Sequence, residues 1–338
     1  MEIKKIDYNQ ILTYWLLTMI ILVFLIIVVG GLTRLTDSGL SITQWELFKG
    51  ILPPLRESTW INYFNLYKEI PQFKFINPTM TLTEFKVIFY WEYFHRLLGR
   101  IIGLVYLIPL IFLSFQNIVE KKTLKIFYFI FFLILTQGIL GWYMVESGLV
   151  INTSVSHFRL SLHLFFAFII ISFLIWNYFN FKYKRNKVFF NLDNKLTKLL
   201  FLFILVQIII GAFVSGLDAG LIYQTWPKMN FAYFPDDLQT NQLNLKYLFN
   251  SQSFVQFLHR TFAYLIIFFT IIIGFKMILQ KQKKYILNYL IVLFVLTIQV
   301  LLGIFTLISG LNLYLASLHQ ITSVILVYTV LNLNYKLT

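Results

Sequence analysis

Leu12 to Leu32 reads LTYWLLTMIILVFLIIVVGGL, twenty-one residues without a charge. A helix needs about 20 mostly apolar residues to cross the hydrocarbon core of a bilayer, so this run predicts a spanning helix. Seven further stretches qualify, at 95–115, 124–145, 160–180, 197–216, 256–279, 286–308 and 316–335. The composition of the 338-residue chain agrees: 59% of it is hydrophobic and 12% charged, against roughly 25% charged in soluble domains. Thirty-seven Phe, twenty Tyr and seven Trp suit lipid and its interfaces. The chain has no Cys, which removes disulfides, thiolate metal sites and cysteine nucleophiles together. The predicted fold class is an all-α integral membrane protein with eight transmembrane helices.

The net charge of +14 would suggest nucleic acid in a soluble protein, but its distribution points elsewhere. Lys4 and Lys5 precede the first span, and Lys121, Lys122 and Lys125 follow the second. Lys182, Lys184, Arg185, Lys187, Lys195 and Lys198 follow the fourth. Lys276, Lys281, Lys283 and Lys284 follow the sixth, and Lys336 closes the chain. These sixteen of the 28 basic residues fall on one side of the membrane. By the positive-inside rule both termini are cytoplasmic, and the two long connections, 33–91 and 217–255, lie outside. The basic excess is therefore a topology signal, and no nucleic-acid partner is expected.

The chain also repeats itself. Asp37-Ser38-Gly39-Leu40 after the first span matches Asp218-Ala219-Gly220-Leu221 after the fifth, with Trp45 and Trp226 following at equal distance. Gln137-Gly138-Ile139-Leu140-Gly141 matches Gln299-Val300-Leu301-Leu302-Gly303. His95-Arg96 matches His259-Arg260, and Ser161-Leu162-His163 matches Ser317-Leu318-His319. Four spans followed by four keep one orientation, so the halves, 1–180 and 181–338, are expected as two tandem four-helix bundles. Their expected relation is a pseudo-twofold axis along the membrane normal.

All five His fall at the outer ends of even-numbered spans: His95, His157, His163, His259 and His319. Ionisable groups in a membrane are costly and default to function. Four of the five recur as two pairs. Zinc normally takes a third and fourth protein ligand, and none repeats here. Haem is satisfied by two axial imidazoles on opposite sides of a plane. Arg96, Arg100, Arg159 and Arg260 lie within about a turn of these His and are candidates for propionate carboxylates, or for snorkelling to the interface. His157 and His163 stand six residues apart, about 240° around a helix, so one ring can use only one of them. The repeat selects His163.

The halves differ at one position. Glu92 stands three residues before His95, on nearly the same helix face, whereas the matching position before His259 is Gln256. A carboxylate beside one site alone gives that site proton chemistry and leaves the other to hold a permanent cofactor. The alternative use of Glu92 is an ion pair with Arg96.

The run Gly30 to Ser41, with Trp45 and Pro53-Pro54, resembles the first outer segment of haem A synthases. So do Glu84-Phe85-Lys86 leading to Trp91-Glu92-Tyr93-Phe94-His95-Arg96, Gln137-Gly138 to Gly148-Leu149, and Arg159-Leu160 with His163. Gly216-Leu217-Asp218-Ala219-Gly220 and Thr225-Trp226-Pro227-Lys228-Met229 complete the likeness, which covers about 12–335. It looks like the cysteine-free branch found in alphaproteobacteria and mitochondria, and since no transit peptide precedes the first span, the expected location is a bacterial inner membrane. The resemblance implies an oxidoreductase acting on a CH group: it converts the C8 methyl of haem O to the formyl of haem A for cytochrome oxidase assembly. It also implies that His259 and His319 are axial ligands of a bound haem b. His95 and His163 then hold the substrate haem O, and Glu92 is the functional carboxylate. The implied partners are haem O synthase as supplier, cytochrome oxidase assembly factors and an unidentified electron donor. A dihaem b-type electron-transfer protein is the alternative reading of the same His pairs.

Overall fold

The computed structural model describes residues 7–46, 49–116, 118–150, 152–189, 195–238 and 244–338; Lys4 and Lys5, used above for orientation, lie outside the described residues. Among the described residues eight helices are long and apolar enough to cross a membrane. They are α1 (Tyr8–Leu35), α4 (Leu82–Gln116), α5 (Lys121–Leu149), α6 (His157–Lys182), α7 (Lys195–Gly216), α9 (Gln252–Leu279), α10 (Ile286–Ile308) and α11 (Leu313–Leu337). The first long connection carries α2 (Glu57–Lys68) and α3 (Pro71–Phe75), and the second ends in α8 (Leu245–Asn250). Among the described residues there is no strand, only an isolated bridge between Met229 and Ala232.

The helices start earlier than hydropathy alone suggests. The second span was expected from residue 95, yet α4 begins at Leu82. Thr81 and Glu84 form a capping box there: the Thr81 amide donates to Glu84 Oε2 at 2.7 Å, and the Glu84 amide donates to Thr81 Oγ1 at 3.3 Å. This closes orphan donors of the first turn and starts the helix well before the apolar run. Ser251 caps α9 by accepting from the Phe254 amide at 3.3 Å. Asn312 caps α11 by accepting from the Tyr314 and Leu315 amides at 3.1 and 3.3 Å. In consequence His95, His163, His259 and His319 lie thirteen, six, seven and six residues into their helices. Only His157 is a first residue. The four repeated His are therefore held on continuous helix, not at frayed ends.

In the first half α1 packs on α4, α4 on α5, α5 on α6, and α6 back on α1. In the second, α7 packs on α9, α9 on α10, α10 on α11, and α11 back on α7. Across the halves α6 meets α7, α1 meets α11, and α6 meets α11. One apolar core runs through both rings, with Leu16, Tyr106, Phe168, Trp176, Val327 and Tyr335 fully enclosed. A second cluster lies under the first long connection, where Trp60, Phe64 and Tyr67 pack on Phe85, Phe89 and Tyr93 of α4. It ties the outer segment to the helix that carries His95.

The repeated Asp-x-Gly-Leu turns meet between the halves. Asp37 and Asp218 both adopt φ 50°, a left-handed conformation that Asp tolerates better than most residues. Arg34 reaches both carboxylates, at 2.9 and 2.7 Å, and also the Ser215 carbonyl at 2.7 Å.

Candidate functional site: two histidine pairs

Each repeated His leans on a glycine of the preceding spanning helix. A Cβ on Gly30 of α1 would stand 2.8 Å from His95 Cε1, and one on Gly303 of α10 would stand 2.9 Å from His319 Cε1. Gly141 of α5 and Gly211 of α7 bear on His163 and His259 in the same way, at 3.1 Å each. Any side chain at these four positions would push the imidazole aside, so glycine is needed for close approach.

The imidazoles then face one another in pairs. His95 and His163 have ring centroids 6.5 Å apart at 65°, and His259 and His319 have theirs 6.4 Å apart at 75°. All four are half-buried. Two metal–imidazole bonds of about 2 Å each would set the coordinating nitrogens about 4 Å apart and the centroids about 6 Å apart. Both spacings would accommodate one iron held between the two imidazoles of a pair. Among the described residues no group of three or more His, Cys, Asp or Glu could hold a metal ion, so the donor sets suit a group that brings its other ligands with it. Haem does this.

Three glutamines, each four residues before one of these glycines, secure the His. Gln137 Nε2 donates to the His163 carbonyl at 3.0 Å, and Gln207 Nε2 to the His259 carbonyl at 2.9 Å. Gln299 Nε2 lies 3.5 Å from His319 Nε2, and its own carbonyl is 3.0 Å from His319 Nδ1. The Gln-x-x-x-Gly pattern stands three times in the sequence, at 137–141, 207–211 and 299–303. Matching it to the His would have exposed these contacts in advance.

His157 sits elsewhere. Its ring lies 5.6 Å from that of Phe213, and a Cβ on Gly216 would touch its Cβ, which places it at the junction of α6 and α7 between the halves.

Glu92 is buried and fully engaged. Oε2 accepts from Ser41 Oγ at 2.7 Å and from the Ile42 amide at 2.8 Å, while Oε1 pairs with Arg96 at 2.6 Å. Arg96 continues to the Ile42 carbonyl at 2.8 Å. In the other half Gln256 Nε2 and Arg260 donate to the Tyr223 carbonyl at 3.0 and 2.8 Å. Both pairs clamp the outer segment that follows the repeated turn, but with opposite polarity. The carboxylate accepts a backbone N–H, whereas the amide donates to a carbonyl.

The other candidate cations also bond main-chain carbonyls. Arg100 bonds the Glu46 carbonyl at 2.8 Å, and Arg159 bonds the Tyr143 carbonyl at 2.6 Å with its guanidinium 3.7 Å from the Tyr143 ring centroid. Arg260 additionally reaches the Thr225 carbonyl at 2.8 Å, and its Nε is buried without a partner.

Residues 13–331 match the family described as cytochrome oxidase assembly protein. Curated relatives extend over nearly the whole chain. The heme A synthase of Pelagibacter ubique is 48% identical, covering 99% of this chain and 99% of its own. That of Flavobacterium johnsoniae is 40% identical over 93% and 94%, and that of Rickettsia bellii is 40% identical over 95% and 96%.

Proposed function

From the premise that this chain belongs to the family of cytochrome oxidase assembly proteins, and with heme A synthases its relatives over their full length, we propose that it oxidises the C8 methyl of haem O to the formyl of haem A. The observation that carries this reading is the pair of matched imidazole gaps, 6.5 and 6.4 Å, in two halves that differ by Glu92 against Gln256. His259 and His319 hold a resident haem b, and His95 and His163 receive haem O. The two bound irons supply the redox chemistry. The chain's own residues do the rest. Four glycines let the imidazoles approach, glutamines hold the His163 and His259 carbonyls and touch the His319 ring, and the outer segments cover the pockets. Glu92 offers the proton acceptor on the substrate side. The buried, unpartnered Arg260 Nε beside His259 supports carboxylate recognition at the haem b edge, with Arg96, Arg100 and Arg159 serving the first half. The halves 1–180 and 181–338 act as substrate and cofactor units about a pseudo-twofold axis. Haem O synthase supplies the substrate, and the product enters cytochrome oxidase assembly. The change from methyl to formyl gains one oxygen and gives up four electrons and four protons, so it needs an oxidant: an electron acceptor with water as the oxygen source, or dioxygen reduced with the help of the electron donor.

The test is pigment extraction from the purified protein. One haem b per chain with substoichiometric haem O or A is expected. Two permanent b haems would instead mark an electron-transfer protein.

The proposed setting is an inner membrane with cytoplasmic termini and both His pairs toward the periplasm. Cysteines introduced at Ser154 and Asn312, both exposed in outer connections, are expected to react with an impermeant thiol reagent from the periplasm. A cysteine at Asn186 is expected to react only after the cytoplasmic face is opened. The reverse pattern would invert the topology.

Gly303→Ala is expected to displace His319, because the added Cβ would stand 2.9 Å from Cε1. Overpacking of this kind costs roughly 1–3 kcal/mol, so haem b affinity is expected to fall by about 5- to 150-fold, read by haem titration. Gly103→Ala is the control, since nothing lies within 4 Å of a Cβ there. Unchanged affinity in Gly303→Ala would remove the glycine from the site.

A further inference from the structure

The four His share one glycine contact but not one anchor. Position −4 from the glycine is Gln137, Gln207 and Gln299 at three of them, and each of those amides touches its His. At the fourth, the position is Ile26 on α1, which has no donor. The Nδ1 atoms of His95, His163 and His259 are alike buried without a hydrogen-bond partner, so what sets His95 apart is the missing amide at residue 26. Among the described residues no side chain hydrogen-bonds His95.

We propose that residue 26 sets the lifetime of the group bound by His95 and His163, Ile26 making it the exchangeable site while Gln207 and Gln299 make the other a site of retention. The inference rests on the reading of the two pairs as haem sites. Its physical basis is geometric. A bound iron needs an imidazole held at one distance and one orientation, and partners of a coordinating His raise affinity by fixing its ring. Gln207 donates to the His259 carbonyl at 2.9 Å and lies 3.5 Å from its Nε2, and Gln299 lies 3.5 Å from His319 Nε2. Both ligands of the second pair are fixed in this way, but only His163 of the first. His95 keeps its steric support from Gly30 and lacks the polar one. A site that must release product every cycle benefits from one loose ligand, and a resident cofactor from none. The asymmetry lies on the half that also carries Glu92, so loose ligation and the ionisable group fall together.

Residue 26 is thus a positioning residue, and its effect is read without turnover. The purified full chain is loaded with ferric protoporphyrin IX as the probe, and loss of that probe to excess apomyoglobin is followed by absorbance. Wild type is expected to release it in two phases, the fast one absent in His95→Ala. Ile26→Gln is expected to slow the fast phase by roughly two- to tenfold, the range of one net hydrogen bond, and to leave the slow phase alone. Ile26→Leu should change neither. Gln207→Ile is the reciprocal variant and is expected to speed the slow phase by a similar factor, so the test survives if Ile26→Gln does not fold. A fast phase untouched by Ile26→Gln, in a chain whose slow phase is intact, would overturn the inference while leaving the haem sites standing. A single phase indifferent to His95 would instead overturn the reading of the first pair as a haem site.

Discussion

His259→Ala and His319→Ala are each expected to empty the second pocket of haem b. The two rings lie 6.4 Å apart on α9 and α11, helices joined through α10 and α7, and among the described residues no third protein donor stands by to replace either one. Loss of a mere hydrogen-bond partner of a metal ligand costs about 10- to 100-fold in affinity, so loss of the ligand itself should exceed that. The measurement is haem per chain by pyridine haemochrome, with membrane insertion checked by quantity and size of the purified protein. His157→Ala is expected to retain haem b, because that ring packs on Phe213 and Gly216 at the junction of α6 and α7. Full haem b in His259→Ala, or its loss in His157→Ala, would show that the pairing has been misassigned.

The architecture was legible because membrane spans declare themselves. A run such as Leu12–Leu32 satisfies its backbone only as a helix in lipid, and all eight apolar stretches are helical in the structure. The start of α4 was not legible from hydropathy, since Glu84, Lys86 and Glu92 interrupt residues 82–94, of which one face packs under the first long connection. Its signal was Thr81 with Glu84, a local hydrogen-bond pattern that an apolar window ignores. At the site, the repeat pointed to His163 over His157, and the structure sets His163 opposite His95 and His157 elsewhere. The supporting glycines lie on a neighbouring helix, and the spacing of residues within α4 or α9 carries no information about them. Arg96 and Arg260 were read as cations near a ring; that they hold the Ile42 and Tyr223 carbonyls depends on how the outer segments fold back. The pairing of Glu92 with Arg96 at i, i+4 could be read along the helix. Its bonds to Ser41 and Ile42, about fifty residues away, could not.

Those bonds decide how the last experiment must be built. Glu92→Gln is expected to lower conversion of haem O to haem A by roughly 10²- to 10⁴-fold, the range for a lost acid–base group, with hydroxylated haem accumulating. Haem b content should survive, because the change lies in the other half. The structure supplies a competing cause. Glu92 Oε2 accepts from Ser41 and from the Ile42 amide, and Oε1 pairs with Arg96, so an amide would also loosen the outer segment and leave Arg96 short of a counter-charge. Ser41→Ala separates the two. It removes one of the two bonds on Oε2 but keeps the ionisable group, at a cost of about 0.5–1.5 kcal/mol typical of one hydrogen bond. If Glu92 serves proton chemistry, Ser41→Ala converts haem O within a few-fold of wild type while Glu92→Gln does not. Haem O, hydroxylated haem and haem A are measured by chromatography of membrane extracts from each variant. Wild-type haem A output from Glu92→Gln would reduce the carboxylate to a partner of Arg96. Equal collapse in Ser41→Ala would make Glu92 the clamp on residues 41–42, and the difference between Glu92 and Gln256 would then concern loop anchoring rather than chemistry.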